Sequence, residues 1–160
     1  MKLLRASPDR FVFHLGKREQ QLFLDTLQLY PLVPPAHHRL ALPGQLSDAD
    51  EAQRMLDEAL AEQRRDHRKQ MLALLKNPDH LKETRHGLEL TLAPTQIEWL
   101  LQVLNDVRVG SWLALGEPEA SQTPQFNNRD AVYWVAMEVC GIYQSVLLSA
   151  LGTEPSPDWR

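Results

Sequence analysis

Pro94-Thr95-Gln96-Ile97-Glu98-Trp99-Leu100-Leu101-Gln102-Val103-Leu104-Asn105-Asp106-Val107-Arg108 is the stretch on which the fold turns. Spaced every ~100° around a helix, Ile97, Leu100, Leu101, Leu104, Val107 and Leu115 gather on one broad face. Glu98, Gln102, Asn105 and Asp106 lie mostly on the other. Pro94 suits a first helical position, Thr95 and Glu98 suit a capping box, and Gly116-Glu117-Pro118 closes the helix after Leu115. Arg108 breaks the pattern, because it projects between Ile97 and Leu101 in angle. An arginine there finds a carboxylate, runs its stem out to water or lines an interface.

A second long helix follows, capped by Asn127 or Asn128 and ended by Gly152. Its run from Ala131 to Leu151 contains Glu138, Gln144, Ser145 and Ser149. A membrane span prefers about 20 residues nearly free of such groups, so the pattern predicts a central helix buried by its neighbours. Glu138, Gly141, Ser145 and Ser149 form a narrow stripe on it. Small residues four apart permit close packing, but a buried Glu138 needs a cation. Arg108 is the expected partner. Asn105, Asp106, Arg108 and Glu138 are therefore the candidate polar site, between the last two helices.

Working back toward the N-terminus, Leu3-Leu4 and Phe11-Val12-Phe13-His14-Leu15 flank the turn Ser7-Pro8-Asp9 and predict a hairpin. Leu88-Glu89-Leu90-Thr91-Leu92 alternates as a third strand. Gly16 to Tyr30 reads as a helix stopped by Pro31, and a proline-rich connector runs to Gly44. Ser47 is placed to cap a helix reaching Lys76. Its first part, Asp48 to Glu62, has six acids against one base; Gln63 to Lys76 has one acid against five. That gradient suits the helix dipole. Asn77-Pro78 reads as the start of a short helix ended by Gly87. The expected fold is mainly α: a compact bundle of about four to five helices with a small antiparallel sheet made by the hairpin and residues 88–92. One domain spans 1–152, and a flexible tail, 153–160, carries Trp159.

The chain has 160 residues, a formal charge of −4 and 43% hydrophobic residues. That length buries about 70% of its unfolded surface unaided. The acidic balance argues against a dedicated nucleic-acid or anionic-membrane binder. The one cysteine, Cys140, excludes an internal disulfide and a thiolate metal cluster, and reads as an apolar filler. His67 lies in an apolar seam with Leu60, Met71 and Leu74, its neighbours one turn away being Gln63 and Met71, so it reads as a core histidine. His37, His38, His80 and His86 show no metal spacing. Arg64-Arg65-Asp66-His67-Arg68-Lys69 reads as a solvated helix face. Glycine-rich phosphate loops and nucleophile elbows are missing, so neither metal nor cofactor is expected.

The helix Trp99-Leu100-Leu101-Gln102-Val103-Leu104-Asn105-Asp106-Val107-Arg108, its entry Leu92-Ala93-Pro94-Thr95-Gln96-Ile97-Glu98, and Glu19 in the helix after the opening strands resemble the bacterial family called domain of unknown function 2017. After Arg108, Val109-Gly110-Ser111-Trp112 departs from that family's pattern. The resemblance implies no activity. It implies a bacterial protein whose relatives' genes in some species lie beside that of the adaptor delivering substrates to the Clp protease, hence an accessory role in protein turnover. The residues themselves point to a cytoplasmic, non-enzymatic interaction or regulatory domain that self-associates, with Trp99, Trp112, Trp134 and Trp159 as aromatic surface. A small enzyme or ligand-binding protein using the candidate polar site is the rival. A nucleic-acid regulator using Arg64, Arg65, Arg68, Lys69 and Arg85 is third.

Overall fold

The computed structural model describes residues 1–38, 46–121, 123 and 127–152. Its strands are β1 (Lys2–Ser7), β2 (Arg10–Gly16), β3 (Leu81–Thr84) and β4 (Gly87–Leu92). They form one antiparallel sheet in the order β1-β2-β4-β3. Ser7 Oγ closes the first turn by donating to Asp9 Oδ1 at 2.9 Å. The register pairs Phe11 with Leu92, Phe13 with Leu90 and Leu15 with Leu88. All six of these side chains are buried. Alternation therefore gives the two central strands one continuous apolar face, where each fully buried side chain stabilises by about 1.5–3 kcal/mol.

This corrects the expected helical bundle with a minor sheet: the described residues form a mixed α/β fold of four α-helices and a four-stranded sheet. The short helix expected from Asn77 to Gly87 is absent. Asn77 Oδ1 accepts the Asp79 amide at 2.9 Å, a local turn that competes with helix. The Leu81 amide bonds back to the Asn77 carbonyl at 3.0 Å. The chain then enters β3, whose Leu81 pairs with Leu90 and Thr84 with Gly87. Gly87 is required where it stands. Its φ is +146°, and a Cβ there would lie 2.0 Å from the Leu15 carbonyl oxygen across the sheet.

The helices are α1 (Lys17–Gln28), α2 (Leu46–Lys76), α3 (Pro94–Ala114) and α4 (Ala131–Leu151), with one 3₁₀ turn at Pro35–His38. Glu19 and Gln96 reach back to the amides of Gly16 and Ala93, both at 2.8 Å, satisfying donors at the starts of α1 and α3. The described span of α2 begins at Leu46 and includes Ser47, whose side chain, and so the expected cap, lies outside what is described. Helix α1 packs on β2 and β4, α4 on α3, α1 and β1, and α2 against α3 and β3. Phe23, Leu27, Leu100, Leu104, Cys140 and Leu147 meet the apolar sheet residues in one cluster.

Helix α4 is not buried all round. By length and composition it is long and apolar enough to cross a bilayer, and 33% of its most apolar stretch is buried here. One side enters the core, where the Tyr143 hydroxyl donates to the Glu19 carbonyl at 2.8 Å and its ring meets Phe23 edge-on. Val132, Val135, Ile142, Leu148 and Leu151 of the same helix are exposed.

Candidate functional site

Clefts flank α3 among the described residues: one takes in Asn105, Arg108 and Glu138 together, and Asp106 borders another, which Asn105 also touches. Asp106 faces the connector after α1. Its Oδ1 accepts the amides of Leu32 at 2.6 Å and Val33 at 3.2 Å, and its Oδ2 lies 3.7 Å from the Arg64 guanidinium. Arg64 also donates to the Val33 carbonyl at 2.5 Å. Carboxylate and guanidinium, themselves 3.7 Å apart, thus clasp one two-residue stretch of backbone, the one taking its amides and the other its carbonyl. The approach is close because Gly110 has no side chain: a Cβ there would lie 2.7 Å from Leu32 Cβ and Cγ.

Beside the clasp, the Tyr30 hydroxyl lies 3.3 Å from His67 Nδ1. Both residues are buried. Burial pushes the Tyr30 phenol up to about 12, with nearby Asp106 adding to the rise, so it stays protonated. Burial also holds His67 below its ordinary value, against the pull of Asp66 and Asp106. A neutral imidazole accepting the tyrosine proton at Nδ1 fits both shifts. Tyr30, His67, Arg64 and Asp106 border a cleft of about 590 Å³, together with Asn105. Tyr30 is not among the sequence candidates, and Arg64 is one only for contact with nucleic acid. The available signal was an aspartate in mid-helix opposite a proline-bounded connector.

The second cleft, about 660 Å³, lies between α3 and α4 and is bordered by Asn105, Arg108, Trp112, Glu138, Ile142 and Ser145. Arg108 and Glu138 do share this cleft, but among the described residues neither makes an ion pair within 4.0 Å involving the other. Both are exposed, and Arg108 donates instead to Gln144 Oε1 at 3.3 Å. The expected buried pair is therefore corrected. Glu138 sits on the outer side of α4, where water satisfies it without a cation.

The third cleft, about 710 Å³, separates α2 from the start of α3 and is floored by Trp99. His80 stands at one end. Its Nδ1 lies 2.9 Å from the Thr91 carbonyl, so that nitrogen carries the hydrogen and Nε2 faces the Gln96 amide at 3.4 Å.

Among the described residues no cluster of three or more His, Cys, Asp or Glu has metal-holding geometry. Cys140 is buried, and burial pushes its thiol up to about 12. The basic run on α2 does not form one uniform solvent face, because Arg64 turns inward onto Val33 and Asp106. Trp159 and the tail lie outside the described residues. No protein-family model, curated protein or solved structure matches the chain.

Proposed function

We propose that this chain is a cytoplasmic, non-enzymatic interaction domain that self-associates through the outer side of α4 and the α3/α4 cleft. The observation that carries this reading is the exposure of Val135 and Ile142, two turns apart on one side of α4, with Ile142 in the same cleft as exposed Trp112. Ile142 and Trp112 border one cleft, and exposed apolar side chains rimmed by polar ones suit an association site. A second copy is the occupant that its charges favour. Arg108 and Glu138 rim the same cleft without pairing in one chain, and a two-fold axis sets each against the other's counterpart. Gly141 leaves room for the approach, since a Cβ there would meet nothing within 4 Å. The sequence resemblance adds a role accessory to protein turnover in a bacterium.

The rival polar active site has less support, because Asp106 is committed to the connector and leaves Asn105, Arg108 and Glu138 on open surface. Size-exclusion with light scattering tests the proposal. The wild type is expected as a dimer at high micromolar concentration, Ile142→Glu as a monomer, and Arg108→Glu with Glu138→Arg as a restored dimer where either single reversal weakens it. A monomeric wild type overturns the reading. So does an α4 face that instead drives the protein onto neutral lipid vesicles.

A further inference from the structure

Val135, Glu138, Ile142, Ser145 and Ser149 are exposed on α4. Their spacing alternates between three and four residues, so they share one strip about 80° wide along the helix. Two helices that pack side by side meet along a seam spaced in this way. Ser145 does not oppose its covering, because its Oγ donates to the Gly141 carbonyl of the same helix at 3.0 Å. The strip is also nearly symmetric end to end. Val135 and Ser149 stand seven residues either side of Ile142, and Glu138 and Ser145 four and three.

The charges choose the direction in which a second copy lies on this seam. Arg108 and Glu138 both border the α3/α4 cleft, hence the same side of the strip. Arg108 donates to Gln144 Oε1, which places its guanidinium about 3 Å beyond Ile142 along the helix axis. Glu138 stands about 6 Å before Ile142. A two-fold axis parallel to α4 sets Glu138 level with the partner's Glu138 and carries that carboxylate to the far side of the seam from Arg108. A two-fold axis crossing α4 at Ile142 keeps both groups on one side and reverses their order. The partner's Glu138 then lies at the Arg108 end, offset by only about 3 Å along the axis, and the pairing occurs twice. The first arrangement opposes like charges and the second opposes unlike ones.

Resting on the self-association proposed above, we infer that the two copies lay α4 against α4 in antiparallel order and cross at Ile142. Ile142 meets its own copy on the axis, Val135 meets the partner's Ser149, and Arg108 meets the partner's Glu138.

The test is disulfide trapping of the full-length chain, read on non-reducing gels, with the mass of each variant measured by light scattering under reduction. Wild type, whose one cysteine is buried, is the control. Ile142→Cys is expected to link to itself. Val135→Cys alone is not, because its two copies stand about 21 Å apart along the axis, well beyond the reach of a disulfide. An equal mixture of Val135→Cys and Ser149→Cys is expected to link into the mixed dimer. An equal mixture of Arg108→Glu and Glu138→Arg is likewise expected to form a dimer that either chain alone forms weakly, since both facing pairs then carry opposite signs. Val135→Cys linking to itself as readily as Ile142→Cys overturns the antiparallel order while leaving self-association standing. A dimer that none of the three cysteines locks, or one that the charge mixture does not restore, overturns the arrangement in the same way. A wild type that stays monomeric overturns self-association and this arrangement with it.

Discussion

Leu32 and Asp106 are 74 positions apart in the chain, and the Leu32 amide donates to the Asp106 carboxylate at 2.6 Å. That bond fixes the role of the carboxylate. An aspartate on the polar side of α3 looks available for chemistry, but its Oδ1 is occupied by two backbone donors and its Oδ2 by Arg64. The function of Asp106 is to hold the connector against α3.

Asp106→Ala is accordingly expected to destabilise the fold by about 2–3 kcal/mol, since charge-assisted bonds are lost and two partly buried amides are left without an acceptor. Urea unfolding checks this. Asp106→Asn keeps one acceptor and is expected to lose less. A change below about 0.5 kcal/mol for the alanine variant, the range of an ordinary surface substitution, would remove the clasp from the account.

Gly110 and Leu32 form the steric half of the same junction. Gly110→Ala places a methyl 2.7 Å from two Leu32 carbons, inside any normal contact. Its expected cost is about 1–3 kcal/mol, the range for overpacking. Because the Leu32 carbonyl carbon is also only 2.8 Å away, Leu32→Ala should recover part of that cost and not all of it. A double-mutant cycle with no coupling would mean that the connector moves aside freely.

Much of this architecture is visible in residue order, and the misses share one cause. The hairpin, β4, α1, α3 and α4 follow from local periodicity and punctuation, which act over a few residues. The strand β3 does not, because Asn77-Pro78 is an equally good start for a helix or a turn. What decides between them is pairing of Leu81 with Leu90, a contact between separate strands. The Arg108–Glu138 pair failed for a related reason. Angle around a helix says which residues share a side, but not whether that side is covered, and α4 leaves Glu138 in water. The clasp joins Leu32, Arg64 and Asp106 from three elements, and no local pattern records such a meeting.

Ser111 offers a test of stability in the opposite direction. Its hydroxyl is fully buried on α3 and has no hydrogen-bond partner among the described residues. An unpaired buried hydroxyl costs about 1–3 kcal/mol. Ser111→Ala removes it and adds helix propensity, so thermal unfolding is expected to shift upward. A lowered midpoint would show that the hydroxyl is bonded in solution.

Cys140 is expected to be unreactive in the native protein. The thiolate is the nucleophile, and a thiol held up at about 12 by burial supplies almost none of it at neutral pH. Arg108 acts the other way, but as the smaller influence. Alkylation by iodoacetamide at pH 7.5 should therefore wait on unfolding and become complete in urea. Rapid labelling of the folded chain would place Cys140 outside the core.

The pH dependence of stability follows from His67. Its folded value lies below the ordinary 6.5 because burial disfavours the imidazolium, so the unfolded chain binds a proton more readily than the folded one. Stability then rises with pH across the interval between the folded value and 6.5. Read downward, the protein is at full stability above 6.5 and loses it as pH falls toward the folded value. Protonation also removes the Nδ1 acceptor that faces the Tyr30 hydroxyl. His67→Gln keeps an acceptor for that hydroxyl while removing the titration. The variant should therefore show a flatter stability profile below pH 6.5, measured by urea unfolding across a pH series. Parallel profiles for variant and wild type would assign the acid sensitivity to another group.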